Sequence, residues 1–393
     1  MTKKIRLIAL AVLLASACVQ AAPLKATPHD VFETNIRSSI APLAGTAVRD
    51  LKLAYVSADV GPWLDTGLAL QAGDQVTMVV DGVVWLSRTY QLGLDQPLAA
   101  WARIGNAGPI FHGTRNTNTF TADRAGTLQL KAFPTRWRSR RGAYEPEPSA
   151  AAVNPDAGGS VSVALIRWRK GIDPAQVLST ISAVSDVPNW ASAELARLQH
   201  TPQVPAGWDY LWELGPAEIF QQTTADDGGP NPRMDVHTAA DVAILQRPVM
   251  AALSANTTLN WRWKVDQLPA AVSENNAATH DYLSIAIEFE NGRDLTYFWS
   301  RDLPPGTSFP CPLAAWTDRE THMVARSGTA ELGRWLDEAH PILADYAKAI
   351  GGPPPKRVVR VWLIANSAFQ RGEGRAQFGD IRFGGDKTPV AVW

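Results

Sequence analysis

Cysteine is nearly absent from this chain of 393 residues, which contains Cys18, Cys311 and no other. We expect Cys18 to be lost with an N-terminal signal, and this excludes an intramolecular disulfide in the mature chain. A single cysteine in an exported protein is a reactive thiol, a link between two chains or a buried inert side chain. The apolar run from Phe309 to Leu313 around Cys311 favours the buried thiol.

Charge is also scarce, because charged residues make up 19% of the chain and the formal net charge is −1. Without the signal residues Lys3, Lys4 and Arg6, 34 of the 37 basic residues remain against 38 acidic ones, a net charge of about −4. The basic excess of a nucleic-acid-binding protein is missing, so we expect no nucleic-acid partner. Beyond the N-terminus, no run is long and apolar enough to predict a transmembrane helix.

Familiar catalytic motifs are missing as well. The sequence contains no Gly-x-Ser-x-Gly, no His-Glu-x-x-His and no P-loop, and its seven histidines have no metal-binding spacing. This excludes common hydrolase and nucleotide-binding families, but a glycosidase needs only two carboxylates that the fold brings together. Glu288, Glu290 and Asp294 are candidates on or beside a predicted strand, although a solvated strand face explains Glu288 more simply.

The first 21 residues have the pattern of a secretory signal. Basic residues precede the apolar stretch from Ile8 to Ala15, which is too short to span a bilayer. Val19 and Ala21 at positions −3 and −1 predict cleavage after Ala21. The stretch from Ala15 to Cys18 also has the outline of a lipobox, without its usual leucine, in which Cys18 would carry a lipid anchor. Both alternatives predict export, to the periplasm or out of the cell.

Short runs with strand periodicity occupy two regions, residues 45–169 and 207–393. Between them, residues 170–206 have helical spacing after possible N-caps at Asp173 and Asp186, so we expect a short helical linker. Many short alternating strands with loop-rich connections are typical of sandwiches. The predicted fold class is all-β, with two β-sandwich domains of a jelly-roll or galactose-binding-like type.

Strict alternation in the second region separates a buried face from a polar one. Trp362 alternates with its apolar neighbours and therefore lies on the second face of its sheet, beside Arg360. A helix is predicted near residues 341–350, ended by Gly351 and Gly352. The residues that we expect in the core are Leu259, Trp261, Trp263, Val265, Leu283, Ile285, Ile287, Phe289, Leu295, Tyr297, Trp299, Val359, Val361 and Leu363.

Several spaced motifs link the C-terminal half to a known family. They include Leu259-Asn260-Trp261-Arg262-Trp263-Lys264-Val265, Leu295-Thr296-Tyr297-Phe298-Trp299-Ser300 and Phe378-Gly379-Asp380-Ile381-Arg382-Phe383. On these motifs, residues 215–385 resemble a bacterial family of secreted proteins, domain of unknown function 3047 (DUF3047). The resemblance implies a jelly-roll-like sandwich and no assigned activity.

The N-terminal half resembles galactophilic bacterial lectins of the PA-I type over residues 50–168, on the stretches 73–79, 104–110 and 123–130. These lectins hold calcium and sugar with an Asp, a Thr and paired Asn residues before their last strand. Here Asn154 and Asp156 stand where the paired asparagines would be. Ca²⁺ needs six to eight oxygen ligands, and this loop offers two or three. The resemblance implies a lectin-like sandwich whose calcium site, if kept, uses Asn154 and Asp156.

The expanded loop before the last N-terminal strand combines four arginines with Trp137. Guanidinium groups bind carboxylates, sulfates or phosphates through paired hydrogen bonds, and tryptophan stacks on sugar rings. A solvated loop neutralised by Glu145 and Glu147 is the simpler alternative. Trp316 also lies in a loop-like stretch, where a large aromatic needs a partner. The predicted ligand-binding residues are Arg136, Trp137, Arg138, Trp316, Arg360 and Trp362.

These features predict an exported two-domain protein that binds carbohydrate or an acidic envelope polysaccharide without catalysis. Two alternatives remain open. An envelope glycan-processing hydrolase or lyase would use carboxylates of the C-terminal region that face each other across a cleft at about 5–10 Å. A structural envelope protein would instead present exposed apolar patches.

Overall fold

The computed structural model describes residue 24 and residues 26–58, 61–89, 92–94, 99–113, 115–132, 137, 139–141, 156–184, 190–200, 202–225, 227–314, 316–385 and 389–393. The predicted signal, with Cys18, lies outside these residues. Strands dominate both halves, which confirms the all-β fold class. Among the described helices, none is long and apolar enough to cross a membrane.

The N-terminal half is a two-layer sandwich. Its elements are α1 (His29–Ile40), a 3₁₀ turn (Ala41–Leu43), β1 (Val48–Ser57), β2 (Leu64–Leu70), β3 (Gln75–Ser87), β4 (Leu92–Leu94), β5 (Ala100–Ile104), β6 (Thr117–Thr121), β7 (Gly126–Ala132) and β8 (Gly158–Trp168). One sheet has the order β1-β8-β3-β4, with β6 also paired to β3, and the other has the order β2-β7-β5. Val76, Leu128 and Val163 are fully buried in the core of this half.

Three helices pack together around the outer side of the first sheet. They are α1, α2 (Pro174–Val184) and α3 (Trp190–Gln199), and they share a hydrophobic cluster with Ile166 of β8. The linker helices were predicted, whereas α1 was not. Phe32, Ile36 and Ile40 of α1 are four residues apart and form one buried face, a periodicity visible in the sequence.

The C-terminal half is a larger sandwich. Its elements are β9 (Asp209–Tyr210), β10 (Phe220–Thr223), β11 (Arg233–Ala239), β12 (Val242–Ala252), β13 (Thr258–Gln267), a 3₁₀ turn (Ala277–Thr279), β14 (Tyr282–Phe289), β15 (Asp294–Ser300), β16 (Ser308–Pro310), β17 (Glu320–Ser327), β18 (Leu336–Pro341), α4 (Ile342–Ala349), β19 (Arg357–Asn366), β20 (Glu373–Gly384) and β21 (Val390–Ala391). The first sheet has the order β10-β11-β20-β13-β18, with β21 on β20, and the second has the order β16-β17-β15-β14-β19-β12-β9.

The core between these two sheets contains the predicted apolar faces of β13, β14 and β15, including Trp261, Trp263 and Trp299. The prediction is wrong by one residue on β19. The pairing register shifts between Glu288 and Phe289, so Val358 enters the core and Val359 becomes the extra residue of a bulge. From Arg360 onward the alternation is as predicted.

Candidate functional site

The second face of the seven-stranded sheet carries a row of charged residues. Strand pairing places Arg360 opposite Glu288, Glu288 opposite Asp294, and Asp294 opposite Glu320. Directly opposed side chains on one sheet face lie about 4.5–5.5 Å apart at Cβ. Three neighbouring carboxylates are unusual on a sheet face that is covered by protein. We call this face, with its row of charged residues, the polar face.

Two arginines balance the row from opposite sides. Arg360 donates to Glu288 at 2.8 Å, and its side chain is 44% exposed. The guanidinium of Arg319 lies 3.7 Å from the other oxygen of Glu288 and 3.4 Å from Asp294. Asp294 is 1% exposed and makes no side-chain hydrogen bond to the described residues. Burial, and then repulsion from Glu320, raises its pKa well above the usual range, against the opposing effect of Arg319.

Two tryptophans flank this ion network. Trp316, in the connection between β16 and β17, is partly exposed and meets Trp362 of β19 edge to face with ring centroids 6.2 Å apart. The guanidinium of Arg319 lies 5.2 Å from each ring centroid. Trp362 is on the second face, as predicted, but it is only 2% exposed because the sheet's second face is covered. We refer to Trp316, Trp362, Arg319, Glu288 and Arg360 as the aromatic patch.

Beneath the same face, four side chains with metal-binding atoms converge. His280, Cys311, Glu320 and His322 are all buried, and their ligand-type atoms lie within 4.8 Å of one another. The Sγ of Cys311 is 3.4 Å from Nε2 of His280, and Nε2 of His322 is 3.4 Å from Oε1 of Glu320. These residues lie before β14, after β16 and on β17, so the sheet assembles them from three segments.

Burial is the largest influence on the pKa of each of three groups in this cluster. Burial, and then the charge of Glu320, raises the pKa of the Cys311 thiol. Burial, and then His322, lowers the pKa of His280 to about 3. Burial opposes ionisation of Glu320, but the two imidazoles lower its pKa overall. The cluster therefore holds a carboxylate, a thiol and two imidazoles in a volume that excludes water.

Of the predicted ligand residues in the basic loop, Trp137 alone lies in the described part of the chain. Arg136 and Arg138 lie outside the described residues. Trp137 is 2% exposed and packs against Trp101 at 5.6 Å and Trp63 at 5.7 Å, so the prediction of a loop tryptophan open to a sugar ring is wrong. A loop position does not expose a ring when neighbouring aromatics can bury it.

Of the two predicted calcium ligands, Asp156 lies in the described part of the chain. Asn154 lies outside the described residues. The carboxylate of Asp156 accepts hydrogen bonds from the hydroxyl of Ser87 and, at 2.9 Å each, from the backbone N–H and hydroxyl of Thr89. Asp156 thus braces this loop, and the calcium site stays a prediction.

Sequence reasoning missed the four-residue cluster, although it anticipated burial of Cys311. One local signal was available, because Glu320 and His322 are two residues apart on a strand and so share a face. His280 and Cys311 offered no comparable signal, since their approach depends on the placement of two loops.

None of the curated protein sequences matches the chain. The N-terminal part is similar to the N-terminal domain of EclA, a PllA-like lectin, with 19% identity over 32% of this chain and 99% of that chain, and a TM-score of 0.21.

Two further solved structures are similar to larger shares of the chain. The xyloglucanase domain of NopAA from Sinorhizobium fredii has 8% identity over 47% of this chain and 95% of that chain, with a TM-score of 0.28. A family 30 carbohydrate-binding module of a Clostridium thermocellum cellulase has 12% identity over 44% and 85%, with a TM-score of 0.24. At these identities, the similarities assign no activity to this chain.

In the C-terminal half, residues 220–382 match the model of DUF3047, a family of proteins of unknown function, as the sequence motifs predicted.

Proposed function

We propose that the protein binds carbohydrate through the aromatic patch and does not catalyse a reaction there. One observation carries the proposal: Trp316, predicted as a ligand residue from a loop, and the pair Arg360 and Trp362, predicted from one strand, belong to one connected group. Trp316 and Arg360 are its accessible members, and Trp362 supports Trp316 from below. Trp316 contacts Trp362, and Arg319 lies over both rings. Glu288 then joins Arg319 to Arg360.

The chemistry of this patch suits a sugar. The ring of Trp316 is a rigid apolar surface for the C–H face of a pyranose, with a small conformational cost on binding. Arginine side chains donate fixed pairs of hydrogen bonds, and the carboxylate of Glu288 accepts from hydroxyl groups. A concave site with apolar rings and a few placed polar groups is the usual composition of a small-molecule site.

The charge of the patch favours an acidic glycan. Arg319 and Arg360 carry two positive charges, and Glu288 carries one negative charge. Asp294 adds less negative charge than an ordinary aspartate, because its pKa is raised by burial and by Glu320. Glu320 adds a second negative charge to the row but is only 5% exposed, whereas the side chain of Arg360 is 44% exposed. The exposed guanidinium of Arg360 would attract a uronic acid or a sulfated or phosphorylated sugar, and the attraction should weaken with salt.

The strand pairing that places the carboxylates side by side also bears on the hydrolase alternative. Glu288, Asp294 and Glu320 are neighbours along the row, as a catalytic acid and base would be. The three residues are nearly enclosed, however, with exposed fractions of 8%, 1% and 5%. A glycosidic bond would need to lie between two of them. Arg319 occupies the space beside Glu288 and Asp294, so binding is the function that this arrangement favours.

We place this binding outside the cytoplasm, on the basis of the predicted signal in residues 1–21. The ligand would then be a glycan of the cell envelope or its surroundings. A lipid anchor at Cys18 is the alternative to a freely diffusing exported protein. Mass analysis of the N-terminus of the protein made by its own cell would distinguish cleavage after Ala21 from lipidation of Cys18.

A glycan array with the full mature chain tests the proposed function, with affinities then measured in solution. We expect binding to acidic glycans and a loss of at least about tenfold, which equals about 1.4 kcal/mol, for Trp316→Ala. Arg360→Gln should weaken binding to acidic glycans more than to neutral ones. The same glycans, assayed for new reducing ends, should remain intact.

Two matched variants provide the controls. Trp335 is also partly exposed and has three cations around its ring, but it belongs to the six-stranded side of the sandwich. Arg375 is an exposed arginine paired with Glu373. Trp335→Ala and Arg375→Gln should retain affinity. The proposal is wrong if no glycan binds, or if Trp316→Ala and Trp335→Ala have equal effects.

A further inference from the structure

The cluster of His280, Cys311, Glu320 and His322 forms a group of metal-ligating atoms inside the fold. We propose that these four side chains bind one Zn²⁺ ion in a closed, tetrahedral site. The proposal is independent of glycan binding, because it depends on other residues and on another measurement. Zinc in structural sites prefers sulfur and nitrogen ligands and four-coordinate geometry, and carboxylate oxygen is also a common ligand.

Two distances within the cluster agree with that geometry, and all four ligand-type atoms lie within 4.8 Å of one another. Zinc bonds of about 2.0–2.3 Å place the ligand atoms of a tetrahedral site about 3.3–3.6 Å apart. The two recorded pairs, Cys311 Sγ to His280 Nε2 and His322 Nε2 to Glu320 Oε1, are each 3.4 Å apart. The planes of the two imidazoles are nearly perpendicular, at 83°, with centroids 4.5 Å apart. Two rings at this angle can direct nitrogens toward a shared centre without stacking.

His322 provides a second, independent observation. Its side chain is fully buried, Nδ1 has no hydrogen-bond partner among the described residues, and Nε2 has the contact with Glu320 at 3.4 Å. Burying a polar nitrogen without a partner destabilises a fold. Phe309 stacks on one side of the ring at 5.4 Å, and Tyr282 and Phe298 meet it edge-on. A bound metal ion would give this enclosed imidazole a further partner, shared with Glu320, Cys311 and His280.

The surroundings orient the other ligands as metal sites require. Nδ1 of His280 lies 3.0 Å from the backbone carbonyl of Glu274, which only accepts, so Nδ1 carries the proton and Nε2 presents its lone pair. This arrangement is usual for metal-bound histidine. The hydroxyl of Thr296 donates to Glu320 at 3.2 Å, and that of Tyr282 lies 3.4 Å away. Both fix the orientation of the carboxylate.

Charge balance favours a divalent ion. A thiolate from Cys311 and a carboxylate from Glu320 supply two negative charges, and two neutral imidazoles supply none. One Zn²⁺ makes the buried group neutral, and on binding the thiol releases its proton to solvent. A neutral assembly avoids the cost of an unpaired charge in the interior.

The site joins separate parts of the domain. It would connect the segment before β14, the chain after β16 and strand β17. Cys311 begins the connection that carries Trp316 and Arg319, so zinc would anchor the base of that connection. All four ligands come from the protein and are buried, which is typical of a structural site and leaves no open position for a substrate.

Metal analysis of the full chain, purified without chelator or metal-affinity resin, tests the proposal. We expect about one zinc per folded chain. Cys311→Ser and His322→Ala should each reduce the zinc content at least about tenfold, whereas His237→Ala, at an exposed histidine that pairs with Glu373, should retain it. Removal of zinc by a chelator should lower the thermal unfolding midpoint of the wild-type chain.

A cobalt-substituted wild-type sample covers the case in which a ligand variant fails to fold. Co²⁺ in this site should produce a thiolate-to-metal charge-transfer band and the strong visible bands of a four-coordinate ion. The proposal is overturned if folded wild-type protein neither contains zinc nor takes up Zn²⁺ or Co²⁺ saturably. It is also overturned if the resident metal is copper or iron, or if His237→Ala loses as much zinc as His322→Ala.

Discussion

Replacing Arg319 by methionine tests the energetics of the polar face directly. Arg319 is the cation within 4 Å of Asp294 in the described part of the chain, and Asp294 is almost fully buried. Glu288 would keep Arg360 at 2.8 Å. Methionine retains much of the length and the apolar contact with Trp316 while removing the charge. The perturbation removes the buried ion pair with Asp294, together with the longer contact to Glu288 at 3.7 Å and the cation over the two tryptophan rings.

Breaking a buried pair by removing one partner typically costs about 3–5 kcal/mol, because the remaining charge is uncompensated. Asp294 can limit this cost by taking up a proton, since burial and then repulsion from Glu320 already raise its pKa. We therefore expect Arg319→Met to lower the free energy of unfolding by about 3 kcal/mol at pH 7. Adding Asp294→Asn removes the stranded carboxylate, so the double variant should return to within about 1 kcal/mol of wild type.

Urea unfolding followed by tryptophan fluorescence measures these differences, and Arg375→Met is the matched control. Arg375 pairs with Glu373 on the surface, with its side chain 52% exposed, and exposed pairs contribute at most about 1 kcal/mol. The reasoning fails if Arg319→Met is no more destabilising than Arg375→Met. It fails equally if Asp294→Asn recovers none of the loss.

Two other substitutions test features remote from this face. Trp137→Ala should destabilise the chain by about 3–5 kcal/mol, because it empties a buried aromatic site, and should leave the glycan affinity of the folded protein unchanged; loss of affinity at constant stability would contradict this. Burial alone would lower the pKa of His340, but the carboxylates of Asp345 and Glu338 raise it overall. Its stabilising effect should be fully present below the unfolded pKa of about 6.5 and disappear as pH rises through the folded pKa. The difference in unfolding free energy between wild type and His340→Gln, measured from pH 5 to 9, should therefore shrink with rising pH, and a constant difference would refute it.

Alternation in the sequence was sufficient to predict most of the C-terminal sandwich. On β13, β14 and β15 a period of two decides which residues face the core between the sheets. Burial itself alternates on β13 alone, because every residue of β14 and β15 is buried and the second face of their sheet is covered. The prediction failed at Val359, because a bulge inserts one residue and reverses the faces on its N-terminal side. A bulge depends on the register with neighbouring strands, and the strand's own sequence does not contain that register.

Site residues were predictable only where a strand held them. Trp362 and Arg360 were assigned to the correct face by alternation, but the covering of that face depends on loops from elsewhere in the chain. Trp137 was misjudged for the same reason, since Trp63 and Trp101 bury it from other segments. The proposed zinc ligands combine both cases, with two on one strand and two brought by loops.

The burial of the polar face is itself an argument for function. A sheet face that serves stability alone is most cheaply covered with apolar residues, as the opposite face of the same sheet is. Here Glu288, Asp294, Glu320 and His322 are enclosed, and Arg319 and Arg360 offset only part of the cost. The rest of the cost of burying these polar groups arises at His322 and Glu320, which lie beside Cys311 and His280. Buried carboxylates elsewhere in the chain, such as Glu194 and Asp281, have protein hydrogen-bond donors. The four side chains of the cluster instead match a divalent metal ion in charge and chemistry, which is why we propose zinc as their ligand.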